Sequence, residues 1–402
     1  MILWENEKRI MGLIYKYQLV FIGTANHYWD SIKDVFYNHI GELGMLKDMI
    51  VFLDENNFTS EYKANAPLYC LYFGDPLGNF KNTDILAKLI KDASLILPVT
   101  DDLKQFNTTI PKELKTINGF ELSSALKIEP LVSVILEGLG LLRNSRRLFI
   151  SYKRDESSKV AIQLFEQFEK SGFDVFLDTH SIRHGESFQD ELWHRLADTD
   201  IVVLLNTPGF LKSEWTKEEL ARANAMMIGV LQLIWPTHKQ EREAEISIPI
   251  QLQADDFGNS YYSDSNSYLT DEIINKVVQQ AESLRARSLA ARQDNIVSEF
   301  ISAADKTGVP VNLHPEKIIT ATKKSGKNYV MIPTIGVPQA LRYNQAEDVV
   351  KKLSSVTSPE VYLLYDHINI RDKWLSHLDW LDKHLPIKTI KIFDAEQWLQ
   401  KP

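Results

Sequence analysis

Arg147-Leu148-Phe149-Ile150-Ser151-Tyr152 is a short apolar run that ends in polar residues, and the chain after it keeps the same rhythm. The run predicts a strand. Ser157–Lys170 predicts a helix, with Val160, Ile162, Leu164, Phe165 and Phe168 as its apolar face and Gly172 as its stop. Phe173–Leu177 predicts the next strand, with Asp178 at its carboxyl end. Thr179–Ser187 reads as a polar loop, Phe188–Ala197 as a helix, and Ile201–Leu205 as a strand buried on both faces. Ser213–Met226 predicts a further helix, and Val230–Trp235 a strand that closes the sheet. Strands and helices that alternate in this way define an α/β fold, a flavodoxin-like and mostly parallel sheet. Ligands of such sheets sit beyond the carboxyl ends of the strands. Tyr152, Asp178 and the loop after Asp178 fall at that edge.

Outward from this block, residues 1–144 also alternate. Leu19–Gly23, Met49–Leu53, Leu68–Phe73 and Ser94–Val99 predict strands; Ser31–Leu43 and Asp84–Asp92 predict helices. Leu131–Leu142 is apolar and contains Gly138-Leu139-Gly140. These glycines precede a strand, which is the wrong order for a dinucleotide fingerprint and the right one for a helix end. Asp84–Gly119 echoes the later half of the central block, so residues 1–144 are expected to be α/β and open to reading as a degenerate relative of it. Residues 145–240 form the central domain and 241–268 a polar connector with one short strand at Ile246–Leu252. Residues 269–402 begin with a long helix, capped by Thr270 and the acids Asp271 and Glu272 and striped by Ile273, Ile274, Val277 and Val278. It is expected to run to about Ala304, ahead of Gly308. Strands at Tyr329–Pro333, Val361–Tyr365 and Thr389–Phe393 follow, with helices at Asn344–Leu353 and Arg371–His384. Trp374, Leu378 and Leu381 are expected to face inward on the last helix.

The 402 residues are 44% apolar and 25% charged, with a net charge of −9. That mix is globular, long enough for two or three domains, and lacks the basic footprint of a nucleic-acid binder. The lone Cys70 cannot form an internal disulfide and reads as a small buried hydrophobe. No segment reaches the roughly 18 apolar residues of a membrane span, and no signal peptide opens the chain, so a cytoplasmic location is expected.

Three motifs carry a resemblance. Phe149-Ile150-Ser151-Tyr152-Lys153-Arg154-Asp155 is similar to the first strand and following loop of the TIR (Toll/interleukin-1 receptor) family. Phe176-Leu177-Asp178 with Ile182-Arg183-His184-Gly185 resembles the second strand and its BB loop. Ser213-Glu214-Trp215-Thr216-Lys217-Glu218-Glu219-Leu220 resembles the Ser-x-Trp-x-x-x-Glu-Leu segment, with Thr216 where the family often has Cys. The resemblance covers under a quarter of the chain. It implies either a non-enzymatic adaptor that assembles with other TIR domains or an enzyme that cleaves the nicotinamide–ribose bond of NAD+, by hydrolysis or with cyclisation of the ADP-ribose. On the enzymatic reading Glu219 is the catalytic residue. Tyr152, Lys153, Arg154, Asp178, Ile182 and Trp215 are the candidate substrate contacts. NAD+ is then the substrate; no cofactor and no metal are implied.

The chemistry fits one carboxylate. Nicotinamide leaves as a neutral base, so no general acid is required. The cationic sugar formed as the bond stretches resembles the oxocarbenium-like state of glycoside hydrolysis, which carboxylates flank. On a helix Trp215 and Glu219, at i and i+4, share a face. Lys153 or Arg154 would hold the pyrophosphate. The plainer readings are that Glu219 is solvated among Glu214, Lys217 and Glu218, that Trp215 is a core anchor, that Tyr152 is sheet core, and that Arg154 and Asp155 form a surface ion pair. His180 and His184 have the spacing of a metal pair but lie in a loop without a completing ligand set. The resemblance further implies self-association through TIR domains, as in bacterial antiphage defence, with the flanking blocks recognising an unknown trigger.

Overall fold

The computed structural model describes residues 16–43, 45–64, 66–92, 94–139, 141–143, 145–177, 188–210, 223, 226–240, 247–314, 318–323, 325–352 and 359–401. The chain divides into two compact units. One joins Ser145–Ile274 to Ser288–Pro402; the other joins Ile14–Asn144 to Asn275–Arg287. Among the described residues no helix is long and apolar enough to cross a membrane.

The N-terminal unit holds five strands: β1 (Tyr17–Gly23), β2 (Ile50–Leu53), β3 (Leu68–Phe73), β4 (Leu95–Thr100) and β5 (Phe120–Glu121). They are parallel, in the order β2-β1-β3-β4-β5. Helices α1 (Trp29–Glu42), α2 (Thr83–Lys91) and α3 (Ile128–Gly138) belong to the same unit. Every residue of β1 is buried, as in a strand covered on both faces, and the one polar side chain, Gln18, bonds the Lys63 backbone. Gly23 ends β1 at φ +93°, where a Cβ would lie 2.2 Å from the Phe73 carbonyl oxygen. Cys70 is wholly buried, which pushes its thiol pKa up. Gly138 closes α3, as its place ahead of a strand predicts.

In the other unit β6 (Arg147–Ser151), β7 (Asp174–Leu177), β8 (Ile201–Asn206), β9 (Gly229–Ile234) and β10 (Ile248–Gln251) form an all-parallel sheet in the order β10-β9-β8-β6-β7. Helices α4 (Arg154–Lys170) and α5 (Phe188–Ala197) precede β7 and β8. Phe149, Phe176, Trp193, Leu196, Val202, Leu204 and Ala223 share one core on one face of this sheet. The strand Val230–Trp235 does not close it: β10, from the expected connector, pairs outside β9. Helix α4 begins at Arg154, a turn ahead of the expected start, and Ser157 is a break in it (φ −148°).

Helix α6 (Asp271–Thr307) is 37 residues long and ends at Gly308, which adopts φ +67°. Beyond it β11 (Val311–Leu313), β12 (Ile319–Thr322), β13 (Asn328–Thr334), β14 (Glu360–Tyr365) and β15 (Lys388–Lys391) form the third sheet. Its first two pairings are antiparallel and its last two parallel. Helix α7 (Ala340–Lys352) leads into β14 and α8 (Asp372–His384) into β15. On α8 Leu378 and Leu381 face inward as expected, but Trp374 does not: it is 37% exposed and stacks on His194 at 5.3 Å.

Candidate active site at the carboxyl edge of the second sheet

The chain runs from β6 outward to β7, then crosses to β8 on the other side of β6. The carboxyl ends of β6 and β8 therefore flank the point where the strand order reverses, the place open α/β sheets reserve for ligands. Ser151, Tyr152 and Lys153 stand at the end of β6, and Asn206, Thr207 and Gly209 at the end of β8.

Tyr152 is 8% exposed, so its ring belongs to the core as much as to the edge. Lys153 donates to Glu156 Oε1 at 2.5 Å, and the Gly209 N–H donates to Glu156 Oε2 at 2.9 Å. Burial pushes the Glu156 carboxyl pKa up, but the bonds from Lys153 and the Gly209 N–H outweigh it and hold the group below its ordinary range. A Cβ at Gly209 would lie 2.1 Å from Glu156 Oε1 and 2.3 Å from Lys153 Nζ, so a larger residue there would displace the ends of this pair. Lys153 is thus tied to Glu156, whereas Arg154 is exposed on the first turn of α4. Asp178, Ile182, Trp215 and Glu219 lie outside the described residues, as do His180 and His184.

The far end of α5 is held firmly. Arg292 of α6, 9% exposed, donates to the Thr199 carbonyl at 2.7 Å and to that of Ala197 at 3.0 Å. Arg147 pairs with Asp198, whose Oδ1 also accepts the Val337 N–H. The Ser288 hydroxyl donates to the Met227 carbonyl at 3.0 Å and accepts the Gly229 N–H at 2.9 Å. These contacts join the ends of α5 and of the segment before β9 to the third sheet and to α6. Sequence reading gave no sign of them.

It also missed three polar groups. Asn206, Gln232 and Ser247 are buried among the strands of the second sheet. The signal was present, since Gln232 interrupts an otherwise apolar run and Asn206 ends one.

Residues 148–264 match the family model of the TIR domain. This stretch is a TIR domain, and β10 lies within it. The curated 2' cyclic ADP-D-ribose synthase BtTIR of Bacteroides thetaiotaomicron is 26% identical over 72 residues, which are 18% of this chain and 25% of that protein. The match thus spans about a quarter of that relative's length. The TIR domains of the activated Roq1 resistosome, directly recognizing the pathogen effector XopQ, share 16% identity over 36% of this chain and 84% of that one, with a TM-score of 0.22. A putative phosphosugar isomerase from Silicibacter pomeroyi DSS-3 shares 12% identity over 70% and 86%, with a TM-score of 0.19.

Proposed function

We propose that the TIR domain cleaves the nicotinamide–ribose bond of NAD+, with Glu219 as the catalytic carboxylate, and that self-association turns this activity on as an effector of bacterial immunity. One observation carries the reading. The Ser213–Leu220 segment, with Trp215 and Glu219 four residues apart, follows β8 in a stretch that matches the TIR family. In an adaptor that pair has no evident use. In an enzyme a fixed carboxylate stabilises the positive charge that develops on the ribose as nicotinamide departs.

Water then attacks the anomeric carbon and gives ADP-ribose. A second reading is favoured by the relative that is itself a cyclic ADP-ribose synthase. There a nucleophile within ADP-ribose replaces water and the product is a cyclised isomer. Product chromatography separates the two.

The test is NAD+ consumption at high protein concentration by wild type and Glu219→Ala. Wild type is expected to consume NAD+, and the variant to be slower by about a hundredfold or more. Consumption that rises more steeply than protein concentration supports activation by assembly. Absence of consumption by the wild type at any concentration would leave the adaptor.

A further inference from the structure

Asn206 is the last residue of β8 and is wholly buried. Its backbone is engaged, because its carbonyl accepts the Trp235 N–H at 3.1 Å. Its side chain is not. Neither Nδ2 nor Oδ1 has a hydrogen-bond partner, and both are out of solvent's reach. The register places Gln232 close by. Leu204 pairs with Gln232 and Asn206 with Ile234, so both amides project to the same face of the sheet. Gln232 is also wholly buried; its Oε1 accepts the Ser247 hydroxyl at 3.0 Å, and its Nε2 has no partner. Three unmet amide atoms thus gather near the carboxyl end of the strands beside the switch point.

Such groups lower the stability of a fold, and native chains keep few of them. The N-terminal sheet has the same strand order and meets the buried amide of its β1: Gln18 donates to the Lys63 carbonyl at 2.8 Å and accepts the Lys63 N–H at 2.8 Å. In the TIR sheet Glu156 closes the ends of β6 and β8, but the amides on β8 and β9 stay unmet.

A carboxamide offers one donor and one acceptor side by side. Both are met at once only by an edge with an acceptor next to a donor. NAD+ has two such edges, the carboxamide of nicotinamide and the amino edge of adenine, which Asn pairs with in nucleic-acid recognition. We propose that Asn206 is a specificity-determining residue that takes one of these edges of the dinucleotide, with Gln232 Nε2 as a second donor. This rests on the NAD+-cleaving reading above.

Two analogues separate the edges. Nicotinic acid adenine dinucleotide carries a carboxylate for the carboxamide, and nicotinamide hypoxanthine dinucleotide carries an oxo group for the adenine amino group. kcat/KM is measured for NAD+ and both analogues with the full chain as wild type, Asn206→Leu and Asn206→Ala. Wild type is expected to prefer NAD+ over one analogue by about tenfold or more, and both variants to bring that one ratio near unity without moving the other. Without any dinucleotide, Asn206→Leu is expected to melt at or above the wild-type temperature, since an apolar side chain replaces an unpaired amide. Wild-type turnover with both ratios unchanged in the variants overturns the inference and leaves the NAD+-cleaving reading standing. A leucine variant that melts lower overturns it too, by giving Asn206 a structural bond through a buried water. A wild type that turns over none of the three removes both.

Discussion

Lys153 and Arg154 are neighbours with different fates. The first is bound to Glu156 and the second is exposed. If the pyrophosphate of NAD+ rests on this segment, Lys153 has to leave Glu156 to reach it, whereas Arg154 already stands at the surface. Arg154→Ala is therefore expected to raise KM by about tenfold, as loss of a charge-assisted contact does, and Lys153→Ala by threefold or less. Steady-state kinetics on both variants decides it; the opposite ranking would mean that Lys153 leaves Glu156 for the substrate. A second charged cluster lies in the N-terminal unit. His39 is 3% exposed, with Nδ1 2.9 Å from Glu42 and Nε2 2.8 Å from Glu129. Burial pulls the imidazole pKa down, but the hydrogen bonds and charges of Glu129 and Glu42 outweigh it and raise the value above 6.5. A raised value in the folded state means that the stabilisation is complete below the unfolded pKa of about 6.5 and fades as pH climbs through the folded one. His39→Gln should then weaken the N-terminal unit most below about pH 6.5 and progressively less as pH rises above it. Urea unfolding at several pH values measures this, and a pH-independent loss would contradict it.

At the scale of elements, strand ends determine what the two parallel sheets can hold. Gly23 illustrates the tolerance: its φ of +93° and the 2.2 Å approach to a backbone oxygen leave no room for a methyl group. Gly23→Ala is expected to destabilise the chain by about 2–4 kcal/mol, through strain and displacement of β3, in chemical denaturation. Most strands of the TIR sheet were legible because β-branched and aromatic apolar residues come in short runs bounded by polar turns. The edge strand β10 was only half legible. It has four residues, contains Pro249 and sits in a polar stretch, so its pairing with β9 is a tertiary fact. Trp374 was misread because helical spacing gives a direction but not what stands there, and His194 stands there. The candidate site was legible where it rests on motif residues. The Lys153–Glu156 pair was open to reading from its i, i+3 spacing. The unmet amides were legible only as a polar residue inside an apolar run, Gln232, and one at the end of a run, Asn206; that both face one side needed the register.

For the whole molecule, the boundary read between TIR domain and C-terminal block is not a physical seam. Ala197 sits in the same core as Ile318, Val330 and Val361, Met226 packs on that core and on the TIR core, and Arg292 binds two carbonyls at the end of α5. A piece ending at residue 268 loses all of these except the packing of Met226 on the TIR core. Relative to a 145–402 chain it is expected to be less stable by roughly 3 kcal/mol or more, from lost burial and uncapped carbonyls. Urea unfolding with dye binding would show it, and equal stability of the two pieces would refute it.

Helix α6 makes the matter one of phase. Its residues 275–287 serve one unit and 288–307 the other. Arg285 reaches Glu137 and the Arg143 carbonyl two turns before Arg292 reaches Ala197 and Thr199. A residue inserted between Ser288 and Arg292 would turn the second against the first by about 100° and advance it by about 1.5 Å. Within that one unit Ser288 could no longer hold Met227 and Gly229 while Arg292 holds Ala197 and Thr199. Along this stretch the chain can trade side chains, but it cannot change the count.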